Sequence, residues 1–306
     1  MLSRKDFEKI QKKTGFNLDL LEKTYHLTRT LYELHHNNLL QDLTLKGGTA
    51  LNFLYLYLPR LSIDLDFNYT GATAKEEMTA QRQQIELKLK KIASTLGYTI
   101  KERGSSYIIS RNTLQYTTIR NTKDHAKIEI NYLQRIPLGS IETMQFPSLF
   151  PDFSTFKVKT YMLEELTAQK IIASLMRTEP RDLYDLYLLS KQKMAIEKIQ
   201  TFAAIYYCMY ANSNKPDITV IKNIDLKRID QELQQFIRTS EKLDPKRIQN
   251  EASAFFERII SFTEKQQKFI DIFYNEKKII PELVSKDMIQ IKQHPSLLHK
   301  LKSLQI

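Results

Sequence analysis

The sequence predicts an α+β fold, a mixed or antiparallel sheet flanked by helices, plus a helical C-terminal domain. Three observations carry that prediction. Between residues 62 and 134, Tyr-, Ile- and Thr-rich runs alternate apolar and polar residues at period two, as strands with one buried face do. The segments before and just after the first of these runs place apolar residues at helical spacing. From Ala195 onward helical patterns dominate, so the expected domains are 1–194 and 195–306. A chain of 306 residues with 42% hydrophobic content can bury a substantial core, and only seven Gly and nine Pro argue against disorder.

Residues 5–41 read as helices, with Leu18, Leu21, Tyr25, Leu27 and Leu31 on one stripe that is expected to pack over the sheet. His26, His35 and His36 have no Asp, Glu or Cys at metal-ligand spacing and are expected to serve packing or surface. Lys46, Gly47 and Gly48 then form a turn, Thr49 caps a short helix with Leu51, Leu54, Tyr55 and Leu58 on its stripe, and Pro59 ends it. From Ser62 the period is two. Ile63, Leu65 and Phe67 face one way and Ser62, Asp64, Asp66 and Asn68 the other. The two carboxylates are roughly 6 to 7 Å apart along the strand, close enough to share divalent cations and to repel each other without them. The amides of the Gly-Gly-Thr turn suit a phosphate. An anion cradle followed by Asp-x-Asp is what metal-assisted nucleotidyl transfer needs, and the bland alternative is a solvated strand end.

A turn at residues 70–74 leads to a helix over 75–96 that Gly97 ends. YTIKERG, SYIISRNTLQYTTIRN and AKIEINYLQ follow as three antiparallel strands. In the last, Glu129 lies on the polar face with Lys127 and Asn131. It would complete a three-carboxylate metal site if this strand neighbours residues 62–68, or else be an exposed Glu paired with a Lys. Residues 137–158 hold three prolines and are expected to form an irregular ordered loop. A helix from Met162 to Met176 carries Lys170 on a half-apolar face, and Thr178 caps the next helix, which starts at Pro180 and holds Asp182 and Asp185. Lys170 is either an anion ligand or a snorkelling side chain, and the acids either serve a site or merely suit a helix N-terminus. In the tail, the stripe of Phe255, Phe256, Ile259, Phe262, Phe269 and Phe273 reads as core rather than a base-stacking platform.

Taken together, KGGTAL, RLSIDLDF and RDLYDLYLL resemble the AbiEii/MenT-like nucleotidyltransferase toxins, a branch of the DNA polymerase β-like superfamily, over roughly residues 40–190. Thr49 stands where the wider superfamily has Ser, and the spacer before Asp64 is long. The resemblance implies a polymerase β-like nucleotidyltransferase core with an NTP substrate and Mg²⁺ held by Asp64, Asp66 and Glu129. It implies nucleotide contacts from Gly47, Gly48, Thr49 and Lys170, and catalytic roles for Asp64, Asp66, Lys170 and Asp182. The implied acceptor is the 3′ end of tRNA, with a block of translation and a cognate antitoxin. Two rivals stand beside this reading: nucleotidylation of a protein or small molecule, and a non-catalytic nucleic-acid-binding module. Adjacent like charges argue against a decayed site, which has no reason to keep them.

Charge points the same way. The 46 Lys and Arg outweigh 35 Asp and Glu for a formal +11, and residues 75–127 hold eleven basic against five acidic residues. The single cysteine, Cys208, excludes an internal disulfide framework and fits the cytosol. The amino terminus is charged where a signal peptide is apolar, and no apolar run is long enough to span a bilayer, so no membrane association is expected. Zinc spacings, a Walker loop, a nucleophile elbow and internal repeats are all missing from the sequence.

Overall fold

Seven strands form one sheet in the computed structural model, which describes residues 2–217 and 219–305. The strands are β1 (Leu43–Lys46), β2 (Asp64–Tyr69), β3 (Thr99–Glu102), β4 (Ile109–Thr117), β5 (Lys123–Asn131), β6 (Ile141–Phe146) and β7 (Phe156–Tyr161), in the order β3-β4-β5-β2-β1-β7-β6. Pairing is antiparallel except for β2 with β5 and β1 with β7, so the sheet is mixed, as the sequence predicts. Alternation sets the packing. Leu114, Tyr116, Ala126, Ile128 and Ile130 are buried on one face of β4 and β5, while Arg111, Lys123 and Lys127 on the other face are exposed.

Helices α1 (Arg4–Thr14), α2 (Leu18–His36) and α4 (Lys75–Thr95) belong to the same compact unit as the sheet. Ser3 and Asp6 close a capping box on α1, and Gly15 ends it at φ 77°. Helix α2 packs on β5, β7 and α4. His26 serves packing, stacked on Tyr116 at 3.7 Å with its Nδ1 2.8 Å from the Tyr98 hydroxyl. Residues 234–242 join this unit as a strap. Leu61 N–H donates to Phe236 O at 2.8 Å, Arg238 donates to Leu58 O at 3.2 Å, and Thr239 N–H donates to Gly15 O at 2.8 Å.

Residues 137–158 depart from the expected irregular loop. They contribute β6 and the start of β7, with the prolines placed in the connections where no ladder hydrogen bond is needed. The short helix after β1 also differs from expectation. It runs over Gly47–Ala50 (α3) and continues as a π-helical turn, Leu51–Tyr55, so it has ended before Pro59.

The second unit comprises Leu138–Ser140, Met162–Leu233 and the chain from Leu243 on. Its helices are α5 (Leu163–Met176), α6 (Pro180–Leu189), α7 (Ile196–Tyr210), α8 (Thr219–Lys222), α9 (Leu226–Leu233), α10 (Pro245–Ile260), α11 (Glu264–Asn275) and α12 (Pro295–Ser303). This partition differs from a division after residue 194, because α5 packs on α7 and α6 on α10. Apolar residues all round α7 explain its central place. Ile199, Phe202, Ala203, Ile205, Tyr207 and Cys208 are all buried, and α5, α10, α11 and α12 contact it. Phe255, Phe256, Phe269 and Phe273 are buried core residues. No described helix is long and apolar enough to cross a membrane.

Glu165 fixes the chain's brief visit at 138–140. Its buried carboxylate accepts from Leu138 N–H at 3.0 Å, Gly139 N–H at 2.7 Å and the Tyr206 hydroxyl at 2.7 Å. Every partner is a donor, so Glu165→Gln would turn an amide N–H₂ toward a donor. The expected cost is about 1 to 3 kcal/mol in urea unfolding followed by circular dichroism, and an unchanged midpoint would contradict this assignment.

Candidate functional site

Strand β1 runs antiparallel to β2 with Lys46 opposite Asp66, and the chain turns into α3 at the very next residue. Gly47 takes φ +68°, and a Cβ built on it would lie 2.6 Å from the Asp66 carboxylate, so both the backbone angle and the space require glycine. At Gly48 a Cβ would lie 2.9 Å from Nη2 of Arg60 and 3.1 Å from the Ser62 hydroxyl. Thr49 is inside the helix rather than at its cap. The N-cap is Lys46, with no side-chain cap bond, and the Thr49 hydroxyl donates to Asp64 O at 2.5 Å. Turn and strand are therefore tied to each other by backbone and short side chains.

Asp64 and Asp66 are both half-buried, and alternation puts them on one face of β2. Across the parallel β2–β5 pair, Asp64 faces Lys127 and Asp66 faces Glu129, which is the adjacency assumed for Glu129. The Glu129 carboxylate, however, accepts from Arg111 Nε at 2.8 Å, the next residue along the row. Among the described residues no group of three or more His, Cys, Asp or Glu side chains could hold a metal ion. The candidate site on this sheet is thus a pair of aspartates in adjacent rows, Asp66 in the row Lys46, Asp66, Glu129, Arg111 and Asp64 beside Lys127. Two features escaped sequence reasoning. Lys46 lies opposite Asp66 in register, and the buried Arg60 guanidinium lies against Gly48; the sequence signal for Arg60 was a basic residue opening RLSIDLDF.

In the helical unit, Lys170 is buried on α5, and its Nζ lies 2.7 Å from Asp182 and 2.9 Å from Asp185, both on α6. Asp182 also accepts from Arg177 Nε at 2.8 Å. The helix is capped by Glu179 without a side-chain bond, not by Thr178, and Pro180 opens it. Asp185 thus holds Lys170 from one turn further along α6. Burial pushes the Asp182 pKa up, but Lys170 and Arg177 outweigh it and hold the carboxyl below its ordinary value of 3.8.

A family model described as nucleotidyl transferase AbiEii toxin, type IV toxin–antitoxin system, matches residues 29–273. The chain belongs to the AbiEii nucleotidyltransferase toxin family. Among solved structures, MenT4, a nucleotidyltransferase toxin from Mycobacterium tuberculosis H37Rv, superposes with a TM-score of 0.67 at 14% identity, covering 99% of both chains. That likeness is one of fold. No curated protein sequence matches significantly. The AbiEii match spans both the aspartate pair on β2 and the Lys170 cluster.

The Asp182 shift sets a pH dependence. A carboxyl that binds its proton more weakly in the folded state adds stability above its ordinary pKa, and that stability is lost as pH falls through 3.8 toward the folded value. Asp182→Asn, which strips a buried partner from Lys170, is expected to lower stability by about 3 kcal/mol at pH 7. Urea midpoints measured from pH 7 to pH 2 should show the gap between wild type and variant closing below about pH 4. A gap that stays constant with pH would exclude the ionised pair.

Proposed function

We propose that the chain transfers a nucleoside monophosphate from an NTP to the 3′ end of tRNA, releasing pyrophosphate and blocking translation, in the cytoplasm and under the control of a cognate antitoxin. The observation that carries the reading is the pair Asp64 and Asp66 on one strand face, with Gly47 packed against the Asp66 carboxylate. Two half-buried oxygen donors fit Mg²⁺, which takes one or two carboxylates and completes its shell with water and substrate phosphate oxygens. When bound, the ion would polarise the α-phosphate and lower the pKa of the attacking hydroxyl. Glu129 is left out of the proposed pair because Arg111 holds its carboxylate.

The chain's own groups divide the remaining work. Gly47 and Gly48 open the helix without a side-chain cap, leaving their amides to the β- and γ-phosphates. The Thr49 hydroxyl holds the Asp64 backbone and so fixes where its carboxylate stands. Lys46, opposite Asp66, adds positive charge on the same row. Family resemblance assigns Lys170 to the triphosphate and Asp182 to the active site. The contact between them supports a role for Asp182 in orienting the Lys170 ammonium.

Incubation with each of the four labelled NTPs and total tRNA tests the reading, and the label should appear on RNA with release of pyrophosphate. Asp66→Asn should lower transfer at least about a thousandfold with an unchanged circular dichroism spectrum. Gly47→Ala should cost about a hundredfold by displacing that carboxylate. Glu129→Gln should stay within about tenfold of wild type. Label on protein instead of RNA would replace the acceptor, and full activity in Asp66→Asn would end the proposal.

A further inference from the structure

The polar face of the sheet does not stop at the aspartates. Moving outward from β2, Asp64 is followed in register by Lys127 on β5, Thr113 on β4 and Lys101 on β3. The next row runs Asp66, Glu129, Arg111, and Arg103 continues it through its N–H bond to Arg111 O. Lys123 stands at the far end of β5, opposite Thr117. Lys101, Arg103, Arg111, Lys123 and Lys127 are all exposed, while alternate residues of β4 and β5 are buried beneath the sheet. Against these five cations the β3, β4 and β5 part of the face carries one carboxylate, Glu129, already bonded to Arg111.

The other acids of these strands are sorted to the opposite face. Asp124 pairs with Lys23 of α2 at 3.1 Å and accepts from the Tyr116 hydroxyl, and Glu102 lines a hollow with Thr79, Arg82 and Gln83 of α4. An ordinary solvated surface intersperses the two signs. Here the helix-covered face takes the acids and the open face takes the bases. Three strand spacings, about 14 Å, separate β2 from β3, so the basic area is broad enough to meet several backbone phosphates.

We propose that the open face of β3, β4 and β5 is the docking surface for the phosphate backbone of the acceptor RNA, leading its 3′ end toward Asp64 and Asp66. The proposal rests on the nucleotidyltransferase reading above and specifies how that site receives its acceptor. Register makes the link physical. The rows that hold Lys101 and Lys127, and Arg103 and Arg111, lead to the two aspartates, so a strand of RNA neutralised on the sheet arrives at the pair without leaving the face. Charge complementarity singles out a polyanion, since a protein partner would need an unusually acidic surface to match five cations and one paired acid.

Binding of fluorescein-labelled tRNA, followed by anisotropy across a salt series, tests this. Wild-type affinity should fall steeply with salt. In the triple variant Lys101→Ala, Lys123→Ala, Lys127→Ala the slope of log affinity against log salt should shrink by about 2 to 3, from 0.7 to 0.9 per lost phosphate contact. Its affinity near 150 mM salt should drop by at least about tenfold. The control triple Lys5→Ala, Lys12→Ala, Lys13→Ala removes the same charge from the exposed side of α1 and should bind as wild type does. Equal binding by the first triple and wild type, equal losses in the two triples, or no tRNA binding by wild type would each overturn the docking surface. Asp66→Asn should bind tRNA normally, which separates docking from chemistry. If wild type labels RNA while the first triple binds it normally, docking fails and transfer stands. If wild type binds tRNA through these lysines but transfers nothing, docking stands and transfer fails.

Discussion

The closeness of Gly47 to Asp66 is the constraint on which the site depends. Strands β1 and β2 are antiparallel neighbours, and the chain leaves β1 into a helix directly beside the carboxylate of its partner strand. Only a residue with no Cβ and a left-handed backbone can make that turn. Once it is made, the first amides of the helix and the acid are neighbours by construction, and the Thr49 hydroxyl secures the other aspartate's backbone. The geometry is thus set by chain path and register, which are rigid, more than by long side chains, which are not.

The two charged groups solve opposite problems. Lys170, Asp182 and Asp185 are buried and Arg177 closes the group from the exposed side, two cations and two anions with each charge facing an opposite one. Removing Lys170 strips both aspartates of a buried cation, and removing either aspartate takes a buried partner from Lys170. On the sheet, Asp64 and Asp66 share a face at half burial, and the row beside them adds a third acid with its own arginine. Lys46 and Lys127 offset part of that repulsion from neighbouring strands. A fold seeking only stability has cheaper choices than two acids on alternate positions of a central strand, and for that reason the pair is the stronger functional signal of the two.

Much of this was legible in the sequence, and the exceptions have physical causes. β2, β4 and β5 showed themselves because each buries one face and so alternates. β1 has four residues between two partner strands, and its first three are buried, so LTLK carries no alternation to read. β6 and β7 were hidden by prolines whose signal was spread over the whole stretch, although Pro137, Pro147 and Pro151 all lie outside the ladders. The Lys170–Asp185 contact joins two helices whose packing no spacing rule supplies. The strap at 234–242 is separated from its partners in the sheet unit by the whole of α5 to α9, and local pattern cannot report a contact over that distance.

The unusual spacing between Gly48 and Asp64 finds its explanation in the same way. A regular helix extended through these residues would carry the chain well past the start of β2. Instead α3 widens into a π-turn over Leu51–Tyr55, which takes up an extra residue. Tyr57 and Leu58 then follow with φ of 55° and 57°, two left-handed non-glycine residues in succession. Each costs of order 1 to 3 kcal/mol and persists only where its surroundings hold it. Here Leu58 N–H donates to Asn52 O at 2.7 Å, Arg238 donates to Leu58 O, and the strap pairs with Arg60 and Leu61. The surplus length is folded back on itself and pinned from outside, so β2 still begins where Thr49 can reach Asp64. A longer spacer therefore leaves the turn and the aspartates in contact, because the irregular backbone absorbs the insertion before it reaches the strand.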